Sequence, residues 1–98
     1  MRTPWGESYS ADVLEPGIAF HATSSHGGYK VDRPLLDKIP LAWRRASFGG
    51  QGLQGWFEED CDWCIVALTF PGHFPHLQKE AQATFNHYIA QKLEPVAI

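Results

Sequence analysis

The sequence predicts an α+β fold, a small three-stranded antiparallel sheet packed against two main helices with short helical turns between them. Three observations lead there. Short β-type runs separated by Pro-Gly and Gly-Gly breaks occupy positions 11–31. Apolar residues recur at helical spacing over positions 59–69 and again over 75–93. Finally, 98 residues with 44% apolar content suffice for one core and leave no room for a second. The whole chain, 1–98, is therefore read as a single α+β domain.

At the N-terminus, Thr3-Pro4-Trp5-Gly6 reads as a turn that presents Trp5 as an anchor rather than as a strand, since Pro fixes one dihedral and Gly frees the next. Positions 11–15 and 18–22 flank Pro16-Gly17 and form a hairpin. A break at Ser24-Ser25-His26-Gly27-Gly28 precedes a third strand at 29–31. On the middle strand Ile18, Phe20 and Ala22 share the buried face, and Ala19 and His21 share a partly wet one, which makes His21 half-buried.

Asp32 can cap a short helix over 33–38, and Pro40 can open another over 41–46. Positions 49–55 hold four glycines in seven residues, a loop that is mobile unless something covers it. It lacks the Lys-Ser/Thr ending of a P-loop and follows no strand, so phosphate binding there is not expected.

Positions 55–71 contain two of the four Trp, both Cys, the densest acidic cluster and the longest apolar run. Glu58, Glu59, Asp60 and Asp62 suit a helix N-terminus, and Cys61, Ile65 and Leu68 repeat at helical spacing, so a helix is expected over 59–69. A buried strand over 65–70 is the competing reading of the same apolar run. After Pro71-Gly72, the clearest helix runs from Pro75 to about Leu93 and stops before Pro95. Its inner face is Leu77, Ala81, Phe85, Tyr88, Ile89 and Leu93; Gln78, Lys79, Gln82, Asn86 and Gln91 face outward, and His87 lies on the surface.

A net charge of −3 argues against a protein that holds nucleic acid by its phosphates, and Arg44-Arg45 is too small a basic patch to reverse that. No leader pattern or membrane-length apolar run is seen, so a soluble cytoplasmic protein is expected, without membrane contact. Two Cys separated by two residues do not make a secreted disulfide framework.

Four constellations could carry chemistry. Cys61-Asp62-Trp63-Cys64 at a helix start has redox spacing, but the acidic run ahead of it would hold the thiols protonated, and buried packing cysteines are the plainer reading. Cys61, Cys64, His73 and His76 are four zinc-ligand types, yet a helix between them puts the thiols and imidazoles on the order of 15 Å apart. His26, displayed on a glycine turn, could act as an acid or base oriented by Glu58 or Glu59, though no nucleophile accompanies it. Glu58, Glu59, Asp60 and Asp62, flanked by Trp56, Phe57 and Trp63, could meet a basic groove on a partner, or could simply start a helix over core aromatics.

Thr3-Pro4-Trp5-Gly6, Gly17-Ile18, Ser25-His26-Gly27-Gly28 and Gly55-Trp56-Phe57-Glu58-Glu59-Asp60-Cys61, followed by Trp63, Val66 and Phe70-Pro71, appear in this order. Together they resemble a small domain of unknown function from proteobacterial plasmids, prophages and integrative elements, over most of positions 3–75. Members of that group often carry a small residue where this chain has Cys64. The resemblance implies no reaction and no catalytic residue. It implies a genetic context in which small acidic proteins counter host defences.

The function expected from the sequence is therefore a non-enzymatic interaction protein of a mobile element. Its concrete form is an inhibitor of a bacterial defence system, of the anti-CRISPR or anti-restriction type, that binds a host protein or defence complex and occludes its surface. No cofactor is expected. The alternative is a small hydrolase or metal-binding protein using His26 and Glu59, or Cys61 and Cys64.

Overall fold

The structure, a computed structural model, describes residues 1–93. The fold is α+β. Its central sheet has four strands in the order β3-β4-β5-β6, all antiparallel: β3 (Ser10–Glu15), β4 (Ile18–Ala22), β5 (Gly27–Val31) and β6 (Trp56–Glu58). A separate hairpin of two-residue strands, β1 (Arg2–Thr3) and β2 (Gly6–Glu7), precedes it. The three helices α1 (Leu41–Ala46), α2 (Trp63–Thr69) and α3 (Gln78–Thr84) follow the third strand of the main sheet.

The three strands expected from sequence are all present, but the sheet has a fourth. β6 pairs with β5 through Gly28↔Glu58, Tyr29↔Phe57 and Lys30↔Trp56. It is three residues long, and its partner lies about 28 positions earlier, so the sequence carries no hairpin signal for it. Its acids also imitate a helix start. Glu58 instead turns the chain away from the sheet, because its Oε1 accepts the backbone N–H groups of Asp60 and Cys61. The helix therefore begins at Trp63 rather than Glu59, and it is a helix, not a strand, that carries the apolar run to Thr69.

Alternation along the strands builds two faces. Phe20, Tyr29 and Phe57 stand in one row across β4, β5 and β6, with Ile18 and Val31 beside them. This face meets the helices, with Tyr29 edge-on to Phe74 at 5.5 Å between centroids. Phe57, Ile18, Val31, Ile39, Cys64, Ile65, Val66 and Ile89 are fully buried there. Four consecutive residues of α2, Cys64 to Ala67, are buried, as a helix wedged between a sheet and another helix requires.

The opposite face, expected to be partly wet, is covered by the N-terminal hairpin at the β5–β6 end. Trp5 packs edge-on against Trp56 at 5.6 Å and lies directly over Gly28. His21 is consequently buried rather than half-buried, 5.5 Å from the Trp56 ring with Nδ1 3.2 Å from Ser8 Oγ. Burial pushes its pKa down. The turn expected over Thr3 to Gly6 is confined to Pro4-Trp5, because Thr3 and Gly6 are themselves paired strand residues of β1 and β2.

The glycine stretch Phe48–Gln54 is ordered into short 3-10 turns kinked at Gly49 and Gly50, both with positive φ. Ser47 Oγ donates to Arg44 O and accepts from Gly52 N–H, and Gly52 is buried against Phe57. Gly55 closes the stretch at φ +90°, where a side chain would also meet Val31 O. Farther on, α3 keeps α-helical pitch only to Thr84 and then widens through a π turn at Phe85–Ile89. Ala81, Phe85 and Ile89 stay buried, whereas Leu77, which precedes the first helical turn, and Tyr88, in the wide turn, are exposed, contrary to the expected inner face. The helical turns end at Lys92, with Leu93 already extended, as the expected end near Leu93 requires; Pro95 lies outside the described residues.

A methyl group on Gly28 would sit 2.2 Å from Trp5 and 2.6 Å from Phe57 O, whereas one on Gly72 would meet nothing within 4 Å. Gly28→Ala is therefore expected to lower unfolding free energy in urea by about 1–3 kcal/mol or more, the usual cost of overpacking. Gly72→Ala should stay within about 0.5 kcal/mol. Equal stabilities for the two variants would contradict the hairpin layer.

Candidate functional site

Two turns meet at one end of the sheet. The β4–β5 turn is wound around Thr23, a buried hydroxyl that donates to His26 O and accepts the N–H groups of Ser25 and His26. Ser25 Oγ in turn donates to Trp5 O at 3.0 Å, which fastens the turn to the N-terminal hairpin. The second turn leaves β6, held by the Glu58 carboxylate. Glu59 N–H donates to Gly27 O at 3.0 Å and joins the two. As a result His26, Glu59 and Asp60, all exposed, bring one ligand atom each within 4.8 Å of one another. The sequence pairs His26 with Glu59 but carries no sign of Asp60 as a third member, whose approach depends on the turn made by Glu58.

The stretch considered as a contact face divides. Phe57 and Asp62 are inside the fold and cannot touch a partner. Trp56 is half-buried beneath the N-terminal hairpin, and Trp63 is half-buried 6.4 Å from Phe74. Glu58 is engaged with its own turn. Only Glu59 and Asp60 of the seven are open to solvent.

The two cysteines are free thiols. Cys64 is fully buried, its Sγ 3.0 Å from Cys61 O, and burial pushes its pKa up to about 12. Cys61 is pushed up to about 11, first by burial and then by the charges of Glu58 and Asp62. At neutral pH the thiolate fraction at Cys61 is on the order of 10⁻⁴, far below what a redox or nucleophilic cysteine needs. His73 is spoken for by Glu15, with Nε2 2.7 Å from Oε1, and His76 is exposed. Among the described residues, Cys61, Cys64, His73 and His76 form no cluster with ligand atoms at metal-binding separation.

A cleft of about 420 Å³ lies between α1 and the end of the C-terminal helix, lined by Ala42, Arg45, Ala46, Ser47, Lys92 and Leu93. The Ser47 hydroxyl is already used on both sides, as donor to Arg44 O and acceptor from Gly52 N–H. It is no poised nucleophile.

A family model described as a domain of unknown function, DUF7007, matches residues 1–97. The chain belongs to the DUF7007 family. No curated protein and no solved structure matches the chain. In this DUF7007 chain the residues quoted from the sequence motifs are largely architectural: Trp5, Gly28 and Trp56 form the hairpin layer, and Gly55 permits the close approach to β5. No helix among the described residues is long and apolar enough to cross a membrane.

Asp62 is a buried acid that sequence reasoning assigned to a surface. Its Oδ2 accepts Phe48 N–H at 2.8 Å, while Oδ1 has no partner among the described residues. Burial raises its pKa, with the Phe48 hydrogen bond opposing and the Glu58 charge adding. A carboxyl raised in the folded state contributes stability that is fully present below the ordinary carboxyl range and is lost as pH rises through the raised value. In urea unfolding, the stability of the wild type relative to Asp62→Asn is therefore expected to fall with increasing pH above about 4. A pH-independent difference would contradict the buried acid.

Proposed function

We propose that the protein is a non-enzymatic binding module of a mobile genetic element that inhibits a bacterial defence complex, of the anti-CRISPR or anti-restriction kind, by covering one of its protein surfaces. The observation that carries the binding part is the edge strand β3. Among the described residues only β4 pairs with it, and Ser10 to Val13 are exposed on both faces of the sheet. Val13 is 69% exposed, and Tyr9, just ahead of the strand, is 74% exposed. An open edge with apolar side chains accepts an added strand from a partner, backbone bonds supplying affinity and side chains specificity. Asp12 at its centre disfavours self-pairing, because a two-fold pairing about that residue would set like charges opposite each other.

The anti-defence part is supported by the motif resemblance to mobile-element proteins and by the net charge of −3, which suits a competitor for a surface that normally meets nucleic acid. The hydrolase alternative is not favoured by the geometry: the thiols are held protonated, and the hydroxyls next to His26, on Thr23 and Ser25, already donate to the carbonyls of His26 and Trp5. Host-cell expression is expected to raise phage plating or plasmid establishment against an active defence system. Val13→Lys, a substitution at a solvent-facing edge position, should abolish that protection and the co-purification of defence subunits with little change in melting temperature. Absence of protection by the wild type, or full protection by a folded Val13→Lys variant, would overturn the proposal.

A further inference from the structure

We infer that His26, Glu59 and Asp60 form a solvent-facing site for a divalent first-row transition ion, with Zn²⁺ bound in preference to Mg²⁺. This inference is independent of the binding reading above. The donor set decides the class of ion: one imidazole nitrogen with two carboxylate oxygens suits a borderline cation, whereas Mg²⁺ and Ca²⁺ favour sites made of oxygen alone.

Two separate turns supply the ligands, and both are fixed before any ion arrives. His26 is bracketed by Thr23 Oγ1, which contacts both its N–H and its carbonyl. Glu59 is tied to the same turn through Gly27 O. Asp60 is placed by the Glu58 carboxylate on its N–H. Gly27 is needed for the approach, since a methyl group there would lie 2.9 Å from Glu59 Oε2 and 2.7 Å from Phe20.

The three side chains converge without another partner. Among the described residues the His26 imidazole and the Glu59 and Asp60 carboxylates form no hydrogen bond or ion pair with any side chain. Two carboxyl groups and an imidazole offer two oxygens and a nitrogen to an incoming dication. Their ligand atoms already lie within 4.8 Å of one another, and closing on a common ion would bring them to metal bonds of about 2.0–2.2 Å. Water would complete the coordination, because all three residues are exposed.

The test is isothermal titration of chelator-stripped, desalted protein with ZnCl₂, MnCl₂ and MgCl₂. The wild type is expected to bind one Zn²⁺, with Mg²⁺ binding at least about tenfold weaker. His26→Ala, Glu59→Gln and Asp60→Asn should each weaken Zn²⁺ binding about tenfold or more, and Cys61→Ser should leave it unchanged. Each substituted side chain is exposed, and far-UV circular dichroism confirms that the variants are folded. Co²⁺ gives a second readout: the loaded protein should show weak visible bands without thiolate charge transfer. No saturable Zn²⁺ binding, retention of full affinity in folded His26→Ala, loss of binding in Cys61→Ser, or Mg²⁺ binding as tight as Zn²⁺ would each overturn the assignment.

Discussion

The fold depends on a constraint at β6, where a three-residue strand must satisfy two layers at once. Phe57 points to the helices and is fully buried, in contact with the Gly52 turn and in register with Tyr29. Trp56, its neighbour, points the other way and carries Trp5 and His21. Loss of a buried Phe ring commonly costs about 3–5 kcal/mol, a large part of the roughly 5–15 kcal/mol that stabilises a small domain. The seam between β5 and β6 thus joins the N-terminal hairpin, the sheet and the helical layer.

Several glycines follow from this arrangement rather than from any ligand. Gly28 leaves room for Trp5, Gly52 for the Phe57 ring, and Gly55 for the Val31 carbonyl. The buried Asp62 fits the same logic, since its carboxylate secures Phe48 N–H at the entry to the glycine turns. Chemistry-bearing residues in positions 55–71 are for the most part consumed in making the fold. What remains outside is small and specific: the edge of β3, and the rim on which His26, Glu59 and Asp60 converge.

Much of this was legible in the sequence. The strand pair around Pro16-Gly17 and the α1 helix after Pro40 were readable because local turn and cap chemistry determines them; the break after Thr23 was too, but it ends at His26, since Gly27 and Gly28 already pair as part of β5. The raised thiol pKa values were only partly readable: the acids beside the cysteines contribute, but burial, which the local pattern does not show, is the larger cause. Pairing of β6 was not, because it is set by contact with a strand far away in the chain. For the same reason Asp62 looked like a surface acid and His21 like a half-wet one. Both are covered by segments that no local pattern connects to them. The candidate site was half legible: His26 and Glu59 suggested each other, while Asp60 joined them only through a turn held by Glu58.

The measurement that tests the account most directly is native-state amide hydrogen exchange resolved by residue. Val31 N–H bonds to Gly55 O at 2.8 Å and Glu59 N–H bonds to Gly27 O at 3.0 Å, so both report on the β5–β6 seam. The account predicts that Val31 and its β6 neighbours exchange only through the largest, near-global opening, while the outward amides of β3 exchange through small local fluctuations. Exchange of the seam amides as rapid as that of the β3 edge would contradict it.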